Sequence, residues 1–472
     1  MDSAKYTTSF WIKVIIGLIL VIGIALLRPP EGLGTASMRC LAILAGVIYF
    51  ISVNLLDEYV AGMCGLVLVS VLGVTDFKTT FSGFSNSTWI LLLGAFGMGG
   101  ILSSTGVLNR IGKAVIGRFP DTFRGRVTAL YLAGMILSPT MPSGSAKGII
   151  MSLLSTAIGK EMGYKPKSRA ATGLFIAGWV PVGVLGIIFL SGAVSGPLLA
   201  GLSPKEYLGE FTWTKWFLNS MVFGIVMLVG CYLANLFLYK PGPDDVDEAI
   251  KELATRGDII EGPMNPKQKI SILVLIAVLL MWIFGQQLHL DNGVIALAGF
   301  VVLLIVVNAG KKAINTMLPW GTMIFCGFVL SMSSIISAVN IDKWIAKVVG
   351  PYLIPIMNHT GLFLALLCIV IYIVRMVVIS QTLTTSMFFL LLLPVALKAG
   401  INPWIVGFAC AVPICTWNVL PQSIPFLCAY GAADGGDYPS FPRAVKMSVF
   451  VMIWTIVSLW ACIPVWRLMG ML

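Results

Sequence analysis

Long apolar runs alternate along the whole chain with short polar or Gly/Pro-rich interruptions. Runs of spanning length fall at about 10–28, 38–56, 59–75, 83–105, 172–200, 217–239, 268–288, 293–309, 318–338, 402–431 and 444–466. A membrane-crossing helix needs about 20 apolar residues. The pattern therefore predicts eleven spans, with 59–75 the weakest. The apolar stretch 14–27 ends in Arg28-Pro29-Pro30-Glu31 with no small-residue cleavage site, so it reads as a retained first helix and not a signal peptide.

Two regions break the pattern. The stretch 127–160 is preceded by Arg110, Lys113, Arg118, Arg124 and Arg126 and followed by Lys160, Lys165, Lys167 and Arg169. Both flanks are basic, which puts both ends in the cytoplasm. Its arms, about 127–142 and 148–159, are too short to cross and meet at Pro142-Ser143-Gly144. A hairpin that enters and leaves on one side meets these conditions. Region 361–397 has the same shape with sparsely charged flanks and predicts a matching hairpin from outside. Non-helical backbone at that depth is tolerated only where protein buries it or a wet cavity meets it.

The halves share residues at a constant offset of 234: Thr88, Ile101, Ser103 and Lys113 meet Thr322, Ile335, Ser337 and Lys347. An odd number of crossings separates the copies, so they are predicted to be inverted. The expected organisation is an N-terminal transmembrane helix (1–37), a first repeat with its cytoplasmic-side hairpin (38–239), a cytoplasmic linker (240–267) and a second repeat with its outer-side hairpin (268–472). Paired broken segments in inverted repeats point to a transporter's central site.

Composition agrees with a membrane protein: 58% of residues are apolar and only 11% charged, against about 25% charged in soluble domains. The net charge of +11 is unevenly placed, with 20 Lys/Arg on one predicted side and 8 on the other. That positive-inside bias orients the protein, with its N-terminus in the cytoplasm, and leaves no case for nucleic-acid binding. The nine cysteines lie in or beside apolar segments without a CxxC pair, and the two histidines, His289 and His359, fall in loops. Neither a metal site nor a catalytic set can be assembled from them. Gly94, Gly97, Gly99 and Gly100 lie mid-span and read as close helix packing.

The candidate chemistry lies at the breaks. The first tip, Pro142-Ser143-Gly144-Ser145, is followed by Lys147; the second, Ser380-Gln381-Thr382, is preceded by Arg375. No Asp or Glu falls within 127–160 or 361–397, so each tip carries a deep cation without an acidic partner in its own segment. A charge at membrane depth is costly and marks a functional site by default. Free N–H groups at the start of a second arm would favour an anion's oxygens. For Lys147 the alternatives are a site role, snorkelling to the headgroups or pairing with backbone carbonyls; for Arg375, bidentate capture of a carboxylate or bracing of the tip's own carbonyls. Two further breaks fall at Ser191-Gly192 within 190–197 and at Pro421-Gln422-Ser423 within 413–425. The first is also compatible with a proline kink, and Trp417 in the second with simple packing.

These tips, breaks and opposed halves resemble the divalent anion/sodium symporter family, which includes dicarboxylate and citrate carriers. That family carries Ser-Asn-Thr at each tip, where this chain has Ser143-Gly144-Ser145 and Ser380-Gln381-Thr382. The family's Thr-Pro-type loops would fall near Ser191-Gly192 and Pro421-Gln422-Ser423. The cation soon after the first motif is most similar to the citrate/succinate and 2-oxoglutarate/malate exchangers. In sodium-coupled members the motif's Asn helps form the sodium sites; Gly144 has no side-chain oxygen and Gln381 is longer. The resemblance therefore implies an all-α carrier of eleven spans and two re-entrant hairpins that exchanges four- to six-carbon di- or tricarboxylates without sodium or a cofactor. It also implies an elevator movement, a homodimer and a place in the bacterial inner or plasma membrane. The alternative is a sodium-coupled dicarboxylate or sulfate symporter. A passive anion channel would show ohmic current. An enzyme would need a base beside its serines, and none accompanies them at depth.

Overall fold

The computed structural model describes residues 8–255, 263–285, 290–308 and 310–472. His289 and residues 256–262 of the expected linker lie outside them. Among the described residues the protein is all-helical apart from one isolated bridge between Tyr164 and Val246. The first half contains α1 (Thr8–Leu26), α2 (Thr35–Ser52), α3 (Glu58–Val71), α4 (Ser87–Ser104), α5 (Val107–Ile116), α6 (Phe123–Leu137), α7 (Gly144–Glu161), α8 (Arg169–Trp179), α9 (Ser195–Leu202) and α10 (Trp213–Leu238). The second contains α11 (Pro266–Phe284), α12 (Asn292–Val307), α13 (Trp320–Ala338), α14 (Ile341–Val348), α15 (Gly350–Asn358), α16 (Thr360–Val374), α17 (Gln381–Lys398), α18 (Pro403–Thr416), α19 (Ile424–Ala432) and α20 (Phe441–Leu468).

Nine of the described helices are long and apolar enough to span a membrane, or ten if α15 and α16, bent by 118°, are taken together. Each of the eleven predicted runs contains a helix. Three of those helices (α3, α12 and α18) are shorter than a full span because a turn or break interrupts the apolar run. The second arm of the first hairpin is longer than the sequence suggests. α7 begins at Gly144 and runs for 18 residues, and α17 also has 18 and reaches spanning length by itself. Length alone therefore does not make these segments hairpins; the break at each tip sets them apart.

The helices pack in two groups. α1 to α4 associate with α11 to α13, while α6 to α8, α10 and α16 to α20 form the other. Within the first group α4 lies directly on α12: a Cβ at Gly94 would stand 2.4 Å from the Ala296 carbonyl carbon, so only glycine allows the crossing. The offset of 234 carries α4 onto α13 and α5 onto α14. α9 leaves the second group and touches the first, with Gly201 against Leu330 and Thr88. In the basic loop that follows α7, Lys160 pairs with Asp434 at 2.5 Å and Lys167 with Asp437 at 3.4 Å.

Candidate functional site

At each tip a serine converts an interrupted chain into the start of a helix. The Ser143 hydroxyl accepts from the Ala146 amide at 3.2 Å and caps α7. The Ser380 hydroxyl accepts from the Leu383 amide at 3.0 Å and caps α17. Each cap satisfies one of the free amides of a helix start. The chain before Ser143 is a 3-10 turn at Ser138–Thr140; before Ser380, α16 ends at Val374 and Arg375 begins a turn that runs to Val377.

Both cations are fully buried, which removes the snorkelling alternative for Lys147. Its Nζ donates to the Ser138 carbonyl at 2.9 Å and to the Gly192 carbonyl at 2.7 Å, joining the first tip to the first break. At the second tip, Arg375 Nη1 donates to the carbonyls of Val378, at 2.8 Å, and Ile379. Its Nε and Nη2 have no hydrogen-bond partner, and the guanidinium lies over Trp417, 5.2 Å from the ring centre. The tip does have an acidic neighbour. Glu58, in the first turn of α3, lies close enough to Ser380 and Arg375 to interact with both electrostatically. No local signal identifies it, because the contact comes from a distant helix of the other group.

The first break begins earlier than the sequence suggests. After α8 a π turn covers Val180–Val184, 3-10 turns follow at Leu185–Ile188 and Leu190–Gly192, and Phe189 and Ala193 are extended. Pro181, which cannot donate to a helical carbonyl, is the residue that signals this unwinding. It is a full break and not a kink. The Ser191 hydroxyl donates to the Pro139 carbonyl at 2.7 Å and accepts from Trp213 Nε1 at 3.1 Å, so Ser191 ties the break to the first tip. Gly192 lies so close to the facing chain that a Cβ would stand 2.2 Å from the Gly186 carbonyl oxygen. In the second break, Pro413 stays inside α18 and the helix is interrupted only from Trp417 to Ser423.

One cavity of about 100 Å³ lies where the four broken segments meet. Pro142 and Gly144 line it from the first tip, Gly192 to Ser195 from the first break, Gln381, Thr382 and Thr385 from the second tip, and Ile414, Cys415, Ser423 and Pro425 around the second break. Trp179, Val182, Gly183 and Gly186 complete the wall, which carries no acidic side chain. Gln381 Nε2 donates to the Ser423 hydroxyl at 3.1 Å, bridging second tip and second break across the cavity. Gly144 packs on Pro425, which a Cβ would approach to 3.3 Å.

Of the expected site residues, Gly144, Gly192, Gln381, Thr382 and Ser423 thus share one wall. Ser143, Lys147, Ser191, Arg375 and Ser380 stand behind it as caps and braces, so the two cations act on the cavity through their field and not as its surface. Ser145 is half-buried off the wall. Pro421 is exposed and Gln422 half-buried, both outside the cavity; the loop turns Ser423 and Pro425 inward instead. Trp179, Thr385 and Cys415 are wall residues that the sequence reading does not single out: Trp179 lies in a run that reads as apolar helix, and Thr385 and Cys415 lie within the second tip and second break without being assigned to the site.

A sequence model described as the sodium:sulfate symporter transmembrane region matches residues 8–470. The putative malate transporter YflS of Bacillus subtilis is 27% identical over 354 residues, covering 73% of this chain and 73% of that protein. The L-tartrate/succinate antiporter of Escherichia coli is 23% identical over 406 residues, covering 81% of this chain and 82% of that one. Among solved structures, the YdaH transporter of Alcanivorax borkumensis, described as having an unusual topology, shares the fold with a TM-score of 0.58. Its identity is 14%, and the match covers 92% of this chain and 98% of that one.

Proposed function

The chain belongs to the sodium:sulfate symporter family, and from that premise we propose that it is a secondary transporter exchanging divalent organic anions, four- to six-carbon di- or tricarboxylates, across a cell membrane. The observation that carries this reading is the convergence of four broken segments, two from each half, on one cavity with no acidic wall residue and two buried cations behind it. The names of the relatives, a putative malate transporter and a tartrate/succinate antiporter, support the same substrate class.

In this reading Gln381, Thr382, Thr385 and Ser423 supply the polar contacts. Lys147 and Arg375 supply fixed positive charge in a low-dielectric setting, where charge acts further than in water. With Lys147 paired only to carbonyls and Arg375 in part offset by Glu58, the fixed positive charge lessens the dianion's need for a co-transported cation, hence exchange without sodium. The two packing groups support an elevator mechanism: α6 to α8 with α16 to α20 carry the cavity past α1 to α4 and α11 to α13, in a homodimer whose N-termini are cytoplasmic. The offset that pairs α4 with α13 and α5 with α14 supports two inverted repeats.

A second reading, sodium-coupled symport, is favoured by one observation. Asn418 Oδ1 and Gln422 Oε1 are buried in the second break without a hydrogen-bond donor, and unpaired acceptors suit a cation. The test is uptake of labelled malate or succinate into proteoliposomes preloaded with unlabelled substrate, in sodium or choline. Exchange predicts strong uptake in choline that depends on internal substrate; uptake confined to sodium would give the symport reading instead.

A further inference from the structure

Six of the nine cysteines are buried away from the cavity, Cys64 is exposed and Cys428 half-buried outside it, and Cys415, near the end of α18, is half-buried and lines the cavity. Two independent observations single out its position. Lys147 and Arg375 both act electrostatically on the Cys415 thiol, although they belong to opposite halves and neither lines the cavity. Arg375, fully buried, also keeps Nε and Nη2 without a hydrogen-bond partner. Cys415 thus marks a point on the wall within the fields of both buried cations.

We propose that Cys415 is a substrate-contacting residue: a carboxylate of the transported anion is drawn against its thiol, and the bulk of this side chain sets how closely the anion approaches the two cations. This rests on the transport reading above and gives the anion an address within the cavity. The overlapping fields concentrate anions, as charged clefts with low-dielectric walls do. A thiol is small, weakly polar and carries no charge to oppose them.

The test uses the full chain in proteoliposomes and two methanethiosulfonate reagents of similar size, anionic sulfonatoethyl and cationic trimethylammonioethyl. Mass spectrometry of the intact protein reads the modification, with each rate normalised to that of free glutathione. The expected result is a Cys415-dependent adduct, absent in Cys415→Ser and Cys415→Ala, whose anionic-to-cationic rate ratio is raised about tenfold or more. Saturating succinate or malate should slow it severalfold. Cys415→Ala, if it folds, should change KM for the anion more than the maximal rate. An adduct count that neither variant lowers, a preference for the cationic reagent in the Cys415-dependent adduct, or Cys415-dependent modification untouched by an anion that is demonstrably transported would overturn the proposal. An anionic preference in a protein that transports no dicarboxylate would retain the address and remove the substrate class, so the two failures are separable.

Discussion

The two tips use the same cap but place their cation on opposite arms. Lys147 follows its capping serine by four residues, whereas Arg375 precedes its own by five. The residue five before Ser143 is Ser138, whose carbonyl Lys147 grips; the residue four after Ser380 is Thr384, whose hydroxyl donates to the Ser380 carbonyl at 2.7 Å. Cation and hydroxyl have exchanged places. At the first tip the charge therefore reaches across to Gly192 and fastens two chain segments together. At the second it grips carbonyls three and four residues away, and two donors remain unused. The first tip is a brace between elements, while the second is self-contained and keeps binding capacity in reserve.

The largest effect should come from opening the brace at its glycine. In Gly192→Ala the new Cβ would stand 2.2 Å from the Gly186 carbonyl oxygen and 3.0 Å from that of Ser138, both backbone atoms with little freedom to move. Overpacking of a buried site typically costs about 1–3 kcal/mol and more where backbone must shift, so the purified variant should lose most of its thermal transition. A wild-type Tm would show that the first break is loosely built and that the two tips do not differ in this respect.

Next in size is Lys147→Met. It strands the buried Ser138 and Gly192 carbonyls, each worth about 1–3 kcal/mol when unpaired, so both Tm and uptake should fall. Arg375→Lys should behave differently. One ammonium can still hold the Val378 and Ile379 carbonyls, so Tm should change little. The positive charge also stays, so KM should change far less than in Lys147→Met, where the charge is lost. If Lys147→Met proved as mild as Arg375→Lys when both are followed by thermal unfolding and uptake, the distinction between brace and reserve would collapse.

Much of this was legible in the chain because the signals are strong and local. A cation or a serine in an otherwise apolar run, and three prolines between Pro413 and Pro425, stand out against any membrane background. The tips, the breaks and five wall residues followed from them. Other features depend on three-dimensional approach. The carbonyls that Lys147 chooses, the arrival of Glu58 at Ser380 from α3 and the turning of Cys415 rather than Pro421 to the cavity leave no periodic or compositional trace. The length of the first hairpin's second arm is not legible either, because α7 starts directly at the polar motif and includes it, so the apolar run is shorter than the helix.

The smallest and most discriminating effect concerns how each tip meets the second break. The second tip does so through one neutral hydrogen bond, Gln381 Nε2 to the Ser423 hydroxyl at 3.1 Å, while the first does so by packing Gly144 on Pro425. A neutral bond of this kind contributes about 1 kcal/mol. Gln381→Ala and Ser423→Ala should therefore each raise KM by a similar, severalfold amount, and the double variant should be hardly worse than either, because both remove the same bond. Residues that share a bond in this way give a coupling term that distant pairs lack. Gly144→Ala, combined with Ser423→Ala, should be additive, since its Cβ meets Pro425 and not the serine. Additivity of Gln381 with Ser423, or coupling of Gly144 to Ser423, would mean that the polar contact across the cavity is made by the first tip and not by the second.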